Sequence, residues 1–292
     1  MRSSIAVIYN PAARGASAGK IALATAFLRE RGFSPDLLTT EKKGDAETFA
    51  REVLRKKPFA IIAAGGDGTV NEVVNGIVWS DTPLALLPMG TTNVLAKEIG
   101  IPEKVTESME RIVNGSPRRV SLGRITLKSG GVERYFCLMA GTGFDGKAVY
   151  GVNPFLKKLS GRLAYVVSGF GNFLRYLPDE ITLVMNGEEY PGCTAVIAKA
   201  SKYGGHLMVS PDADLRDPSF QVCVFGGRTR LDLLRYVLGV LRSRHLKYRD
   251  VTCVMTTHVE VRGKAHAQID GDYLGVTPAE LTIAENALSI IY

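Results

Sequence analysis

The chain has 292 residues, enough for two domains at roughly 100–200 residues each. Hydrophobic residues make up 46% and charged residues 22%, which excludes a disordered tail and a collagen-like repeat. The formal charge of +7 suits an anionic partner without choosing between nucleic acid, nucleotide and membrane surface. Cys137, Cys193, Cys223 and Cys253 stand far apart with no Cys-x-x-Cys pair, so neither a zinc site nor a disulfide framework is expected, and a reducing cytosol fits. The apolar run Ile5–Tyr9 turns at once into Asn10-Pro11, too short for a signal peptide, and no targeting segment is expected. No continuous apolar stretch reaches about 18 residues, so any membrane contact is expected to be peripheral.

Residues 1 to 100 alternate β-rich runs, Ile5–Tyr9, Ser34–Thr39, Phe59–Ala64 and Leu84–Leu87, with segments of helical period. Ile21, Ala24 and Leu28 mark one such segment, and Phe49 and Val53 another; Gly32 and Pro58 stop them. Alternation of this kind implies a parallel sheet with crossover helices. Beyond about Ser121 the pattern becomes strands joined by turns: Val132–Met139, Ile181–Met185, Thr194–Ala198, Phe220–Phe225, His258–Arg262 and Ala267–Ile269, with Asn186-Gly187 as a hairpin turn. Two helical stretches interrupt it, at 155–177 and 231–242. A domain boundary is therefore expected near residue 122.

The most informative segment is Gly65-Gly66-Asp67-Gly68-Thr69-Val70-Asn71-Glu72-Val73-Val74-Asn75-Gly76, between a buried strand and a helix. Glycines there let a backbone approach a phosphate, and a helix N-terminus supplies N–H groups. Asp67 is unusual in such a loop, because a carboxylate repels phosphate unless it holds Mg²⁺ or takes a proton from an attacking hydroxyl. The alternative is a tight turn with Asp67 as helix N-cap. A second loop, Pro88-Met89-Gly90-Thr91-Thr92-Asn93, follows the next strand, with Thr92 as a candidate N-cap; a third, Asn10-Pro11-Ala12-Ala13-Arg14-Gly15, follows the first. Gly15-x-x-x-Gly19-Lys20 is one residue short of a P-loop and is followed by Ile21 rather than Ser or Thr. Gly141-Thr142-Gly143-Phe144-Asp145-Gly146 matches the dinucleotide fingerprint formally, but no acid lies between Asp145 and Asp179 to meet a ribose.

Taken together, Gly65-Gly66-Asp67-Gly68-Thr69, its Asn71-Glu72-Val73-Val74-Asn75-Gly76 continuation and Pro88-Met89-Gly90-Thr91-Thr92-Asn93 resemble the bacterial soluble diacylglycerol kinases, lipid kinases related to sphingosine kinases. The resemblance runs from Asn10-Pro11 to Asp270-Gly271-Asp272, and its first motif is shared with NAD kinases. It implies a parallel-sheet nucleotide-binding α/β domain over 1–122 to which the last strand, 286–292, returns, a β-sandwich-like domain with inserted helices over 123–285, ATP between them and a lipid hydroxyl as acceptor. ATP contacts carry over to Asn10, Pro11, Ala12, Ala13, Arg14, Thr40, Gly66, Asp67, Gly68, Thr69, Val70, Asn71, Glu72 and Thr91. A structural Mg²⁺ carries over to Asp217 and the carbonyls of Asp214 and Ser219, although Arg216 and Pro218 depart from the family pattern. The family's base is the Glu of an Asp-Gly-Glu run; Asp272 stands there, one methylene shorter, so Asp67 is the other candidate for catalysis. Asp145 is a candidate contact to the acceptor.

Lys and Arg concentrate on 146–178, five with no acid after Asp145, and on 228–249, seven against Asp232 alone. These two stretches are the expected face toward an anionic membrane, at the inner side of the cell membrane. Nucleic acid is not an expected partner, because no recognition motif accompanies the charge. ATP and a lipid substrate are expected partners, with a second copy of the chain as a further candidate. A small-molecule kinase of the NAD kinase type and a nucleotide- or lipid-binding module without catalysis are the alternative functions.

Overall fold

Strand β1 (Ser4–Tyr9) is buried at every residue after Ser4, as a strand covered on both faces must be. In the computed structural model, which describes residues 4–150, 179–205 and 207–292, β1 lies between two parallel partners, β2 (Ser34–Thr39) and β3 (Ala60–Gly65). β3 pairs in parallel with β4 (Leu84–Pro88), and the end of the C-terminal strand, Ala279–Ile291, joins β4 in parallel through Ile290. The links are helices α1 (Ala18–Glu30), α2 (Asp45–Leu54), α3 (Asp67–Ile77), α4 (Val94–Glu98) and α5 (Val105–Asn114). Ile21, Leu28, Val105, Met109 and Ile112 from α1 and α5 pack on Ile5, Val7, Ile62 and Leu87 of the sheet. Parallel crossovers bring the ends of β1, β3 and β4 to one edge, which is where the three loops start.

Helices α2 and α3 pack against each other, and their approach explains Gly76. A Cβ there would stand 2.7 Å from both Ala50 Cβ and the Glu47 carbonyl oxygen.

The chain divides into two compact units, one running to Leu122 and taking back Glu285–Tyr292, the other Gly123–Ala284. The second unit is antiparallel. One sheet runs in the order 251–256, 220–225, 194–198, 139–143, 266–269, 272–276. The other places 181–185 between 188–192 and 258–262, with the start of the C-terminal strand beyond 258–262. Ala195, Ile197, Phe220 and Val222 of the first sheet share a core with Leu183, Val259, Val261 and Leu281 of the second. Along Ile181–Met185 buried and half-buried residues alternate, the period of a strand with one face inward. The fold is therefore a parallel α/β domain followed by an antiparallel β domain.

Two expectations change. Val132–Met139 is two strands, Glu133–Phe136 and Met139–Gly143. The Asp270 carboxylate accepts from the backbone N–H groups of Cys137, Leu138 and Met139 at 2.9, 2.9 and 3.1 Å, which takes consecutive amides out of the ladder. Cys223 and Cys253 form a disulfide, against the expectation from cysteine spacing; they face each other in register on neighbouring strands though 30 residues apart in sequence. That pairing removes the cysteine argument for a reducing compartment. The second expected helix is Arg230–Leu241, opened by a capping box between Thr229 and Asp232, whereas the helix expected at 155–177 lies outside the described residues.

Replacing Gly76 by Val must push α2 and α3 apart. The expected loss is about 2 kcal/mol or more in urea denaturation, and an unchanged midpoint would show that the helices separate without strain.

Candidate functional site

The three loops at the edge of the first unit are in direct contact. A Cβ on Gly90 would lie 2.6 Å from Gly66 Cα, so the second and first glycine loops touch backbone to backbone. Gly15 N–H donates to the Met89 carbonyl at 2.8 Å, which brings in the loop after β1. Asn10 shapes that loop with both ends of its amide: Oδ1 accepts from Ala12 N–H at 2.9 Å and Nδ2 donates to Thr69 Oγ1 at 3.0 Å. Thr40 N–H pairs with the Tyr9 carbonyl at 2.9 Å, at the start of the same loop. Arg14 and Thr91 are exposed on the loop surfaces.

Asp67 is not the N-cap of α3. That cap is Gly66, which has no side chain to offer the first turn. The Asp67 carboxylate reaches across to α4 instead: Oδ1 accepts from Val94 N–H at 2.7 Å and Leu95 N–H at 3.4 Å, and Oδ2 accepts from Thr92 Oγ1 at 2.8 Å. Thr92 is therefore a donor to Asp67, while Asn93, in the left-handed region, is the N-cap of α4. A carboxylate at a short helix's N-terminus is worth about 1 kcal/mol, and here it also locks one loop to the other. The first-turn N–H groups of α3 are left without a side-chain cap at the point where the loops meet.

Other expected ATP residues are engaged elsewhere. Glu72 Oε2 accepts from Ala46 N–H at 3.2 Å, capping α2, whose own N-cap is Gly44. Val70 and Asn71 have buried side chains, and Asn71 accepts from Asn75 Nδ2 at its carbonyl, 2.9 Å, and its Oδ1, 3.2 Å.

In the second unit, strand Met139–Gly143 leads into α6 (Phe144–Tyr150), and Asp145 folds back over Gly141, where a Cβ would fall 1.5 Å from Asp145 Oδ2. Asp145 is 8% exposed; Tyr203 Oη donates to its Oδ1, and Gln268 Nε2 donates to its Oδ2 at 2.7 Å. Burial pushes its carboxyl above the ordinary value, and the two donors only partly offset this. Gln268 Oε1 in turn accepts from Gly271 N–H at 2.8 Å, so the Asp145 cluster holds the turn that carries Asp272. Asp270, at φ 46°, is spent on its three amides, and Asp272 begins the next strand half-buried. Tyr203 and Gln268 had no motif to announce them; a glutamine inside the apolar run Ala267–Ile269 is the one available signal.

The expected metal site does not fit. Lys199 Nζ donates to the carbonyls of Asp214 at 3.0 Å, Ser219 at 3.2 Å and Asp217, two of which were the expected backbone ligands. The Asp214 carboxylate is taken by Arg216, whose Nη2 lies 2.6 Å from Oδ2. Among the described residues no group of three or more His, Cys, Asp or Glu could hold a metal ion.

Comparison with known proteins agrees with this geometry. A model of the diacylglycerol kinase catalytic domain matches residues 4–125, and a model of the YegS C-terminal NAD kinase beta sandwich-like domain matches 139–292. A diacylglycerol kinase of Bacillus subtilis strain 168 is 30% identical over 283 residues, covering 94% of this chain and 91% of its own. The chain belongs to the diacylglycerol kinase family. A diacylglycerol kinase of Mycobacterium tuberculosis is 29% identical over 98% of this chain and 94% of its own. The crystal structure of a diacylglycerol kinase from Bacillus anthracis shares the fold, with a TM-score of 0.71 at 18% identity over 99% of this chain and 97% of that one. The family is one of lipid kinases, and no described helix of this member is long and apolar enough to cross a membrane.

Because the folded-state carboxyl of Asp145 titrates above its unfolded value, the stability tied to its protonated form is fully present below about pH 4 and lost as pH rises through the folded value. Urea midpoints of the wild type, measured relative to Asp145→Asn, should fall as pH rises from about 4 toward neutrality. A difference independent of pH would mean that Asp145 is charged throughout that range.

Proposed function

We propose that this chain transfers the γ-phosphoryl group of MgATP to the free hydroxyl of diacylglycerol, giving phosphatidic acid and ADP. The observation that carries this reading is the meeting of three strand-end loops, with Gly66 against Gly90 and Gly15 on Met89, around the α3 N-terminus in a chain of this family. The N–H groups of Gly66, Gly68 and Thr69 receive phosphate oxygens, and Asn10, Pro11, Ala12, Ala13, Arg14, Thr40 and Thr91 surround the nucleotide. Asp67 keeps the two glycine loops at fixed spacing. The acceptor oxygen attacks the γ-phosphorus, the bond to the bridging oxygen breaks, ADP departs and the hydroxyl proton passes to Asp272. Glu72 and Asn71 contribute through helix packing, and Asp145 through the turn that holds Asp272.

Labelled ATP and Mg²⁺ should label diacylglycerol in preference to sphingosine, phosphatidylglycerol or NAD. Label in NAD alone, or in none of them, would overturn the reading. Asp272→Asn should lower kcat by about 10²-fold or more with unchanged ATP affinity and melting temperature; full activity would remove Asp272 as the base.

A lipid acceptor requires a membrane-facing surface, and helix Arg230–Leu241 supports one. Leu233 and Tyr236 are buried, while Leu231, Leu234, Val237, Leu238 and Leu241 are exposed, Leu231 at 77%. At about 100° per residue these five share one side of the helix, with Arg230 and Arg242 beside them. Arg235 is paired with Asp250 and Asp232. Apolar insertion and the flanking arginines together suit an anionic leaflet, at about 1 kcal/mol per basic side chain. Replacing Leu231 and Leu241 by Glu should weaken sedimentation with anionic vesicles about ten-fold or more while ATP binding is retained. Unchanged sedimentation would place the membrane contact elsewhere.

A further inference from the structure

Lys199 follows strand Thr194–Ala198 and is 0% exposed. An isolated ammonium at that depth is strongly disfavoured, so its surroundings must supply acceptors. The loop Asp214–Ser219 does so with main-chain oxygens: an ammonium has three N–H donors, and the carbonyls of Asp214, Asp217 and Ser219 take all three. Three donors set on three carbonyls belong to the protonated amine, so the geometry itself makes the buried side chain a cation. Converging backbone carbonyls beside carboxylates are the donor set of a hard divalent ion, which needs its oxygens at about 2.0–2.6 Å. Here the convergence point is filled by the chain's own charge, and Arg216 has withdrawn the Asp214 carboxylate.

We propose that Lys199 is the resident cation of the Asp214–Ser219 loop, a tethered charge in place of a divalent metal that ties the loop to the adjoining sheet and makes the fold of the second unit independent of Mg²⁺ and Ca²⁺. The proposal does not rest on the kinase reading, because it concerns the fold in the absence of nucleotide. Any Mg²⁺ requirement of the reaction would then belong to the ion carried by ATP.

The test is thermal unfolding of the full chain without nucleotide, after dialysis against EDTA and again with millimolar Mg²⁺ or Ca²⁺. The wild-type melting temperature should stay within about 1 °C in all three states; a rise of several degrees with either ion would overturn the proposal. Lys199→Met, which keeps the length and removes the charge, should melt about 5 °C lower or more, because three buried carbonyls lose their donor. A Met variant that melts like the wild type would also overturn it. The double variant Lys199→Ala with Arg216→Asp removes the ammonium and frees the acidic side chains, and it should gain several degrees from Ca²⁺ or Mg²⁺ and nothing from NaCl of equal ionic strength. A folded double variant indifferent to both ions would show that the loop is no cation site. Where neither variant folds, the wild-type ion titration decides alone.

Discussion

The carboxylate of Asp67 holds the first unit's site together. Parallel strands bring three loops to one edge, but loops with this much glycine have many conformations to lose on ordering. The hydrogen bonds that Asp67 accepts from Thr92, Val94 and Leu95 fix the spacing of two of them and start α4, a helix of five residues too short to form unaided. Gly66 and Gly90 can then meet at backbone distance, and the first turn of α3 has no side-chain cap. The Asp67 charge is thereby set against the N-terminus of α4.

The second unit uses carboxylates in the same way. Asp270 gathers three successive amides, which ends one strand and begins the next, and this frees the turn at Gly271 to present Asp272. Asp145, held by Tyr203 and Gln268, braces that turn from behind through Gly271 N–H. Asp145 is buried on two side-chain donors and Asp270 half-buried on three amides, and Asp272 follows at the strand start, half-buried as well.

How much of this was legible in the sequence follows from the range of the interaction concerned. β1, β3 and β4 were readable because each is a buried apolar run, and α1 and α2 because Ile21, Ala24, Leu28 and Val53 fall at the helical period. The glycine loops were readable because their chemistry is local. The partners of Asp67 lie 25 to 28 residues away and those of Asp270 more than 130, so no window of sequence contains them. The break in Val132–Met139 and the Cys223–Cys253 bond were missed for that same reason: each is set by what lies opposite in the sheet.

Charge gives the sharpest case. A net charge of +7 counts Lys199 and Arg230 alike, yet one is wholly buried among carbonyls and the other lies at the rim of an exposed leucine stripe. The buried cation acts at contact distance in a medium of low dielectric, so it is insensitive to salt and determines local structure. The surface cations act through a field that salt screens, and under the proposed function that field draws the molecule to an anionic leaflet. Adding salt should therefore separate the two roles within one protein, releasing the helix Arg230–Leu241 from an anionic surface while the Asp214–Ser219 loop stays closed on Lys199.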